Sequence, residues 1–143
     1  MELTATTVMV YVTVRARDPD GILVVEGPGG RSLPHRVFDG SGSLDSAAAG
    51  ILMDLGAAVR PALAFVQCVT VGRPSMVAFL FVSYREARPI FEDEGCAWID
   101  PGGPSGPMDG LSAHFAVRTV RPFGDPYVDL GLNVPGVFLA DAG

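Results

Sequence analysis

Lysine is absent from this chain, and histidine, cysteine and tryptophan are nearly so: two His, two Cys and one Trp in 143 residues. Each scarcity excludes something. Two thiols, Cys68 and Cys96, cannot frame a disulfide scaffold, and no CxxC or Cys/His cluster offers zinc a tetrahedral site. The histidines, His35 and His114, lie far apart in sequence. All ten basic residues are therefore arginine, a bias that nucleotide composition explains as well as chemistry does. With a net charge of −6 and no acidic run longer than Glu92–Asp93–Glu94, there is no basic face to displace counterions from DNA or RNA. Nucleic acid is not an expected partner; a small anion held by a few arginines is still compatible. The longest apolar run, Met76–Val82, is far short of the roughly 20 residues that cross a bilayer, so no membrane contact is expected. Glu2 stands where a signal peptide would carry positive charge. Reduced thiols in a cytoplasmic protein follow as the expectation.

What is present is apolar and patterned. Hydrophobic residues make up 48% of the chain. A single domain over residues 1–143, burying roughly 68–70% of its unfolded surface, is expected at this length. From Thr6 to Arg17, valines 8, 10, 12 and 14 alternate with other residues, the period of a strand. Asp18-Pro19-Asp20-Gly21 reads as a turn and Ile22–Glu26 as a second strand. Gly27-Pro28-Gly29-Gly30 is another turn, and Ser32–Phe38 a short extended piece. A helix is expected after the loop Gly40–Ser43, with Ser43 as N-cap and Asp45 in the first turn. Leu44, Ala47, Ala48, Ile51, Leu52 and Leu55 form its apolar stripe, and Gly56 ends it. Pro61–Gly72 and Ser75–Arg85 read as an antiparallel pair at the centre of a sheet. Cys96–Ile99 is a short strand, and Met108–Val120 a second helix burying Leu111, Phe115 and Ala116. From about residue 123 the tail has no clear period, yet it is too apolar to be solvated. It is expected to cover the domain or a second subunit, which makes a homodimer possible.

The order of these elements, with Leu33-Pro34, then Asp39-Gly40-Ser41-Gly42-Ser43-Leu44, then an Ala-rich helix ending at Gly56, resembles the Nudix hydrolases over residues 6 to 122. The resemblance implies an α+β fold, an α/β/α sandwich with a mixed sheet flanked by helices. It also implies a catalytic helix whose glutamates hold Mg²⁺ or Mn²⁺ to activate water on a diphosphate. This sequence departs from that pattern where the chemistry resides. His35-Arg36 replaces the paired glycines after Leu-Pro, and Gly42 stands where a glutamate is expected. The helix's Arg-Glu and Glu-Glu pairs become Gly50-Ile51 and Asp54-Leu55 counted forward, or Ala49-Gly50 and Met53-Asp54 counted back. Asp54 is the one acid left in the core of the motif.

Three functions follow as expectations. The first is a non-hydrolytic protein that needs no cofactor and binds a small ligand or a protein partner, with His35, Arg36, Gly50, Met53 and Trp98 as ligand-binding candidates and Phe79 in the pocket wall. The second is a divergent hydrolase in which the catalytic candidates Asp39, Asp54 and Glu94, with Glu92 and Asp54 as metal candidates, converge on Mg²⁺ or Mn²⁺ to act on a nucleoside diphosphate derivative. The third is a metal-free enzyme with His35 and a nearby Asp as acid and base. Trp98, Phe91 and Tyr84 serve either as core or as a stacking platform. His114 and Cys68 read as structural, and Cys96 has no base beside it in sequence.

Overall fold

The computed structural model describes residues 6–28, 30–57, 61–72, 76–100, 108, 110–120 and 124–131. Two β-branched runs form its centre. Strand β1 (Thr7–Arg17) lies parallel to β6 (Met76–Arg85) in a continuous ten-residue register from Thr7↔Met76 to Ala16↔Arg85. Both read as near-continuous apolar runs because both faces of this pair are covered, the usual position of buried parallel strands.

On β6's other side lies β5 (Ala64–Val71), antiparallel to it with a register shift between Phe65 and Gln67. The expected central antiparallel pair is therefore present. On β1's other side the sheet divides. β4 (His35–Val37) pairs with the first half of β1, and β2 (Asp20–Gly27) pairs with its end. β2 then runs outward to meet β3 (Gly30–Ser32) and β7 (Cys96–Ile99).

The extended piece expected over 32–38 is two strands, not one, and the reason is Leu33-Pro34. Pro has no N–H to give a ladder. Its carbonyl instead accepts Val12 N–H at 2.9 Å, and the buried Leu33 N–H is satisfied by Ser112 Oγ at 3.0 Å.

One helix lies on each face. Alternation along the strands decides which residues meet which helix. Val10, Val12, Val14 and Phe81 point to α1 (Leu44–Asp54) and pack with Ala48, Ile51 and Leu52. Tyr11, Ala78, Leu80 and Val82 point the other way and pack with Leu111 and Phe115 of α2 (Gly110–Val120). Ser43 caps α1 as expected, its Oγ accepting Ser46 N–H at 3.3 Å, and Gly56 turns the chain out of the helix at φ +88°.

One expectation is corrected: the second helix starts at Gly110, not Met108, and Met108 forms a parallel bridge to Arg31. The described part of the tail packs on the domain: Tyr127–Gly131 form β8, parallel to β5 at the sheet's edge. Cys68 N–H donates to Pro126 at 2.7 Å and Gly72 N–H to Gly131 at 2.8 Å, so the pairing comes from β5's open backbone groups and not from any periodicity in the tail. Residues 132–143 lie outside the described ones. No described helix is long and apolar enough to cross a membrane.

Candidate functional site

The five expected ligand-binding residues do not share one cleft. His35 and Arg36 are neighbours on β4 and so face opposite sides of the sheet. His35 turns toward the α2 side, stacked on Tyr11 with ring centroids 4.8 Å apart. Its Nδ1 lies 2.8 Å from the Leu33 carbonyl, which can only accept, so the proton sits on Nδ1. That described polar contact is with a carbonyl and not with an Asp. His35 also borders a polar hollow with Glu26 and Arg31, which pair at 3.0 Å.

Arg36 turns toward α1, where its guanidinium donates to Asp54 Oδ2 at 2.5 Å. The two side chains are 46% and 67% exposed, so the pair contributes at most ~1 kcal/mol to folding. Its consequence is chemical: the one acid left in the motif has a cation on it. Gly50 and Met53 lie near it on the non-core face of α1. A Cβ at Gly50 would meet nothing within 4 Å, so no packing contact requires glycine there. Trp98, on β7, lies against Phe91 at 6.4 Å and under Arg88 at 5.4 Å.

The other carboxylates are engaged locally. Asp39 Oδ1 accepts Ser41 N–H at 2.8 Å, a turn contact that holds its carboxyl below the ordinary range. The Glu92–Glu94 loop docks on the C-terminal end of α1, with Asp93 N–H donating to the Leu55 carbonyl at 3.1 Å. Asp93 Oδ1 accepts Gly95 N–H at 2.7 Å, and Glu92 and Glu94 are exposed. Among the described residues, no three His, Cys, Asp or Glu are grouped so as to hold a metal. On α1 itself, Asp45 and Asp54 are nine positions apart, about 13.5 Å along the axis, too far to share one ion. Mg²⁺ and Mn²⁺ sites combine carboxylates with water and substrate oxygens, and here the one carboxylate in the core of the motif, Asp54, already carries the Arg36 guanidinium, so the described donor set fits poorly to the metal that the Nudix resemblance implies.

Neither thiol is activated. Burial raises the Cys68 pKa. Burial, then the Asp93 carboxylate, raise that of Cys96.

An apolar cleft lies elsewhere among the described residues. A cleft of about 250 Å³ opens where the C-terminal ends of β1 and β6 meet the end of α1. Val14, Leu52 and Phe91 form its apolar wall, Pro89 and Ile90 its outer lip, and Ser83 and Arg85 its polar side. Of these, only Phe91 stood among the sequence candidates. The signal was available in period two: Ser83 and Arg85 continue the face of Phe79 and Phe81, so the strand carries its polar end onto the α1 side.

A mixed sheet between two helices, with a Leu-Pro strand, a Gly-rich loop and a capped helix in that order, is the Nudix fold. Compared by sequence, the chain matches no family model and no curated protein. Solved structures are similar in fold. The Nudix domain of Shewanella oneidensis NrtR, solved with ADP ribose, superposes with a TM-score of 0.68 at 14% identity, over 83% of this chain and 89% of that one. A Nudix hydrolase from Nitrosomonas europaea gives 0.65 at 14% identity, over 91% and 81%. The C-terminal domain of mouse MUTYH, solved with human PCNA, gives 0.58 at 15% identity, over 85% and 94%.

Proposed function

We propose that this Nudix-fold protein does not hydrolyse pyrophosphates and works by binding, either a small ligand in a cleft or a protein partner on its surface. The observation that carries the reading is the Arg36–Asp54 ion pair. Where the resemblance asks for several carboxylates aimed at a metal, this chain offers one, and a guanidinium neutralises it. Catalysis by divalent-metal activation of water needs the reverse, an excess of negative charge around the ion. Structures similar to this chain have been solved with ADP ribose and with PCNA, which supports both a small-ligand and a protein-partner mode. Two free thiols support a cytoplasmic location, and the net charge of −6 speaks against nucleic acid as the partner.

A divergent hydrolase is the second reading. It draws on the acidic loop docked at the end of α1. Thermal unfolding with Mg²⁺ or Mn²⁺, alone and with ADP-ribose or nucleoside triphosphates, followed by a phosphate-release assay, separates the two. The binding reading expects no metal-dependent stabilisation and no turnover. Metal-dependent turnover that Asp54→Asn abolishes would establish the hydrolase and remove the first reading.

A further inference from the structure

Arg85 differs from the other arginines of the described residues. Arg15, Arg17, Arg31 and Arg36 each pair with a carboxylate. Arg88 donates to the carbonyls of Pro19 and Asp20, and Arg118 to that of Asp125. Arg85 has no carboxylate within ion-pair distance among the described residues, in a protein with six more acidic than basic groups. It borders the 250 Å³ cleft, whose other lining residues, among the described ones, are apolar except for Ser83.

A guanidinium with no carboxylate partner among the described residues, beside an apolar hollow, is complementary to an anionic head on a compact apolar body. The guanidinium fork matches the two oxygens of a carboxylate or phosphate. The volume limits the body. A cavity of about 150 Å³ accommodates benzene, so about 250 Å³ admits one aromatic ring with a short acidic arm. Nucleotide-sized ligands call for pockets larger than this, since drug-sized molecules occupy roughly 300–1,000 Å³.

The cleft is also built. Arg88 fastens the 86–91 segment to the β1–β2 turn through its two carbonyl bonds and stacks over Trp98, which holds Pro89 and Ile90 at the lip. Gly21 makes that strap possible, since a Cβ there would lie 2.8 Å from the Arg88 guanidinium.

We propose that this cleft binds a single-ring aromatic acid, its ring against Val14, Leu52 and Phe91 and its anionic head on Arg85. The assignment deepens the small-ligand half of the function proposed above and does not depend on whether hydrolysis is lost.

The test is calorimetric titration of the full chain with 3-phenylpropanoate, phenyl phosphate and the neutral 3-phenylpropan-1-ol, with resonance shifts to locate the site. We expect saturable one-to-one binding of an anion, shifts at Val14, Leu52 and Ser83, and at least about tenfold weaker binding of the alcohol. Tighter binding of the phosphate than of the carboxylate would support the same site with a phosphoryl head. Arg85→Met keeps the apolar stem and should lower acid affinity to that of the alcohol. Ile90→Glu, at a position 79% exposed, places a like charge at the lip and should weaken the acid without affecting the fold. Three results would overturn the proposal: no saturable binding of either anion, shifts confined to another part of the molecule, or equal affinity for acid and alcohol. The last would mean that the hollow receives an apolar group of any kind, a partner's side chain included. Turnover of ADP-ribose would remove the non-hydrolytic reading and leave this one standing.

Discussion

Gly50 and Gly56 sit six residues apart and ask for glycine to different degrees. Gly56 has a left-handed φ of +88°, and a Cβ there would lie 2.6 Å from Glu92 Cβ. Gly56→Ala combines backbone strain with a clash and should destabilise the protein by about 1–3 kcal/mol. Gly50 has helical backbone and open space where its side chain would be, so Gly50→Ala should stabilise by about 0.5–1 kcal/mol through helix propensity alone. Urea unfolding of the two variants checks both signs. A loss of stability in Gly50→Ala would show that α1 needs that gap for packing. The sequence identified Gly56 as a helix end through the loss of the apolar stripe. It identified Gly50 as a departure from a motif, and only the folded structure shows that the space beside it is open and unfilled by a described neighbour.

At the scale of elements, α2 is tied to β5 through one polar chain. His114 Nε2 lies 2.9 Å from Gln67 Oε1, and Gln67 Nε2 donates to the Asp125 carbonyl at 3.0 Å. Since the amide donates to Asp125, its oxygen accepts from the imidazole, which is therefore protonated at Nε2. Burial, then the nearby Arg118 charge, lower the His114 pKa from the ordinary 6.5. The unfolded chain then takes up the proton first as pH falls, so the stability this contact gives is whole above about 6.5 and is lost as pH drops through the folded value. Chemical unfolding at pH 7.5 and pH 5.5 should show a drop that is smaller in His114→Gln, which keeps a donor to Gln67 but does not titrate. An equal drop in both proteins would assign the effect to other groups. Asp39 works in a lower window: its lowered pKa gives stability that disappears only below about pH 4.

At the scale of the whole molecule, the sheet leaves an aromatic surface near its β8 edge. Phe65 is 42% exposed and Tyr127 67% exposed, with their rings 6.3 Å apart, and Phe65 also lies 5.8 Å from Phe81. Exposed apolar clusters of this kind mark interfaces, and the apolar composition of the chain's last residues points the same way, so a homodimer is proposed. Light scattering should find the full chain dimeric and a chain ending at Gly131 monomeric; monomers in both would refute it. The cut belongs after Gly131 and not before β8, because removing β8 would expose the backbone groups of β5 and create a new sticky edge.

Local chemistry decided what the sequence could show by itself. The strand alternation of Val8–Val14, the apolar stripe and Ser43 cap of α1, the Trp98 strand and the scarcity of acid on α1 are all near-neighbour patterns, legible one turn or one pleat at a time. Tertiary structure decided the rest. Which half of β1 pairs with β2 and which with β4, the recruitment of Tyr127–Gly131 beside β5, and the turning of His35 and Arg36 to opposite faces depend on partners far away in the chain. So does the cleft, which is assembled from β1, α1, β6 and the segment before β7. No stretch of sequence contains its shape. Only the packed fold brings Arg85 beside Val14 and Phe91, and only there does an ordinary arginine become a cation facing an apolar hollow.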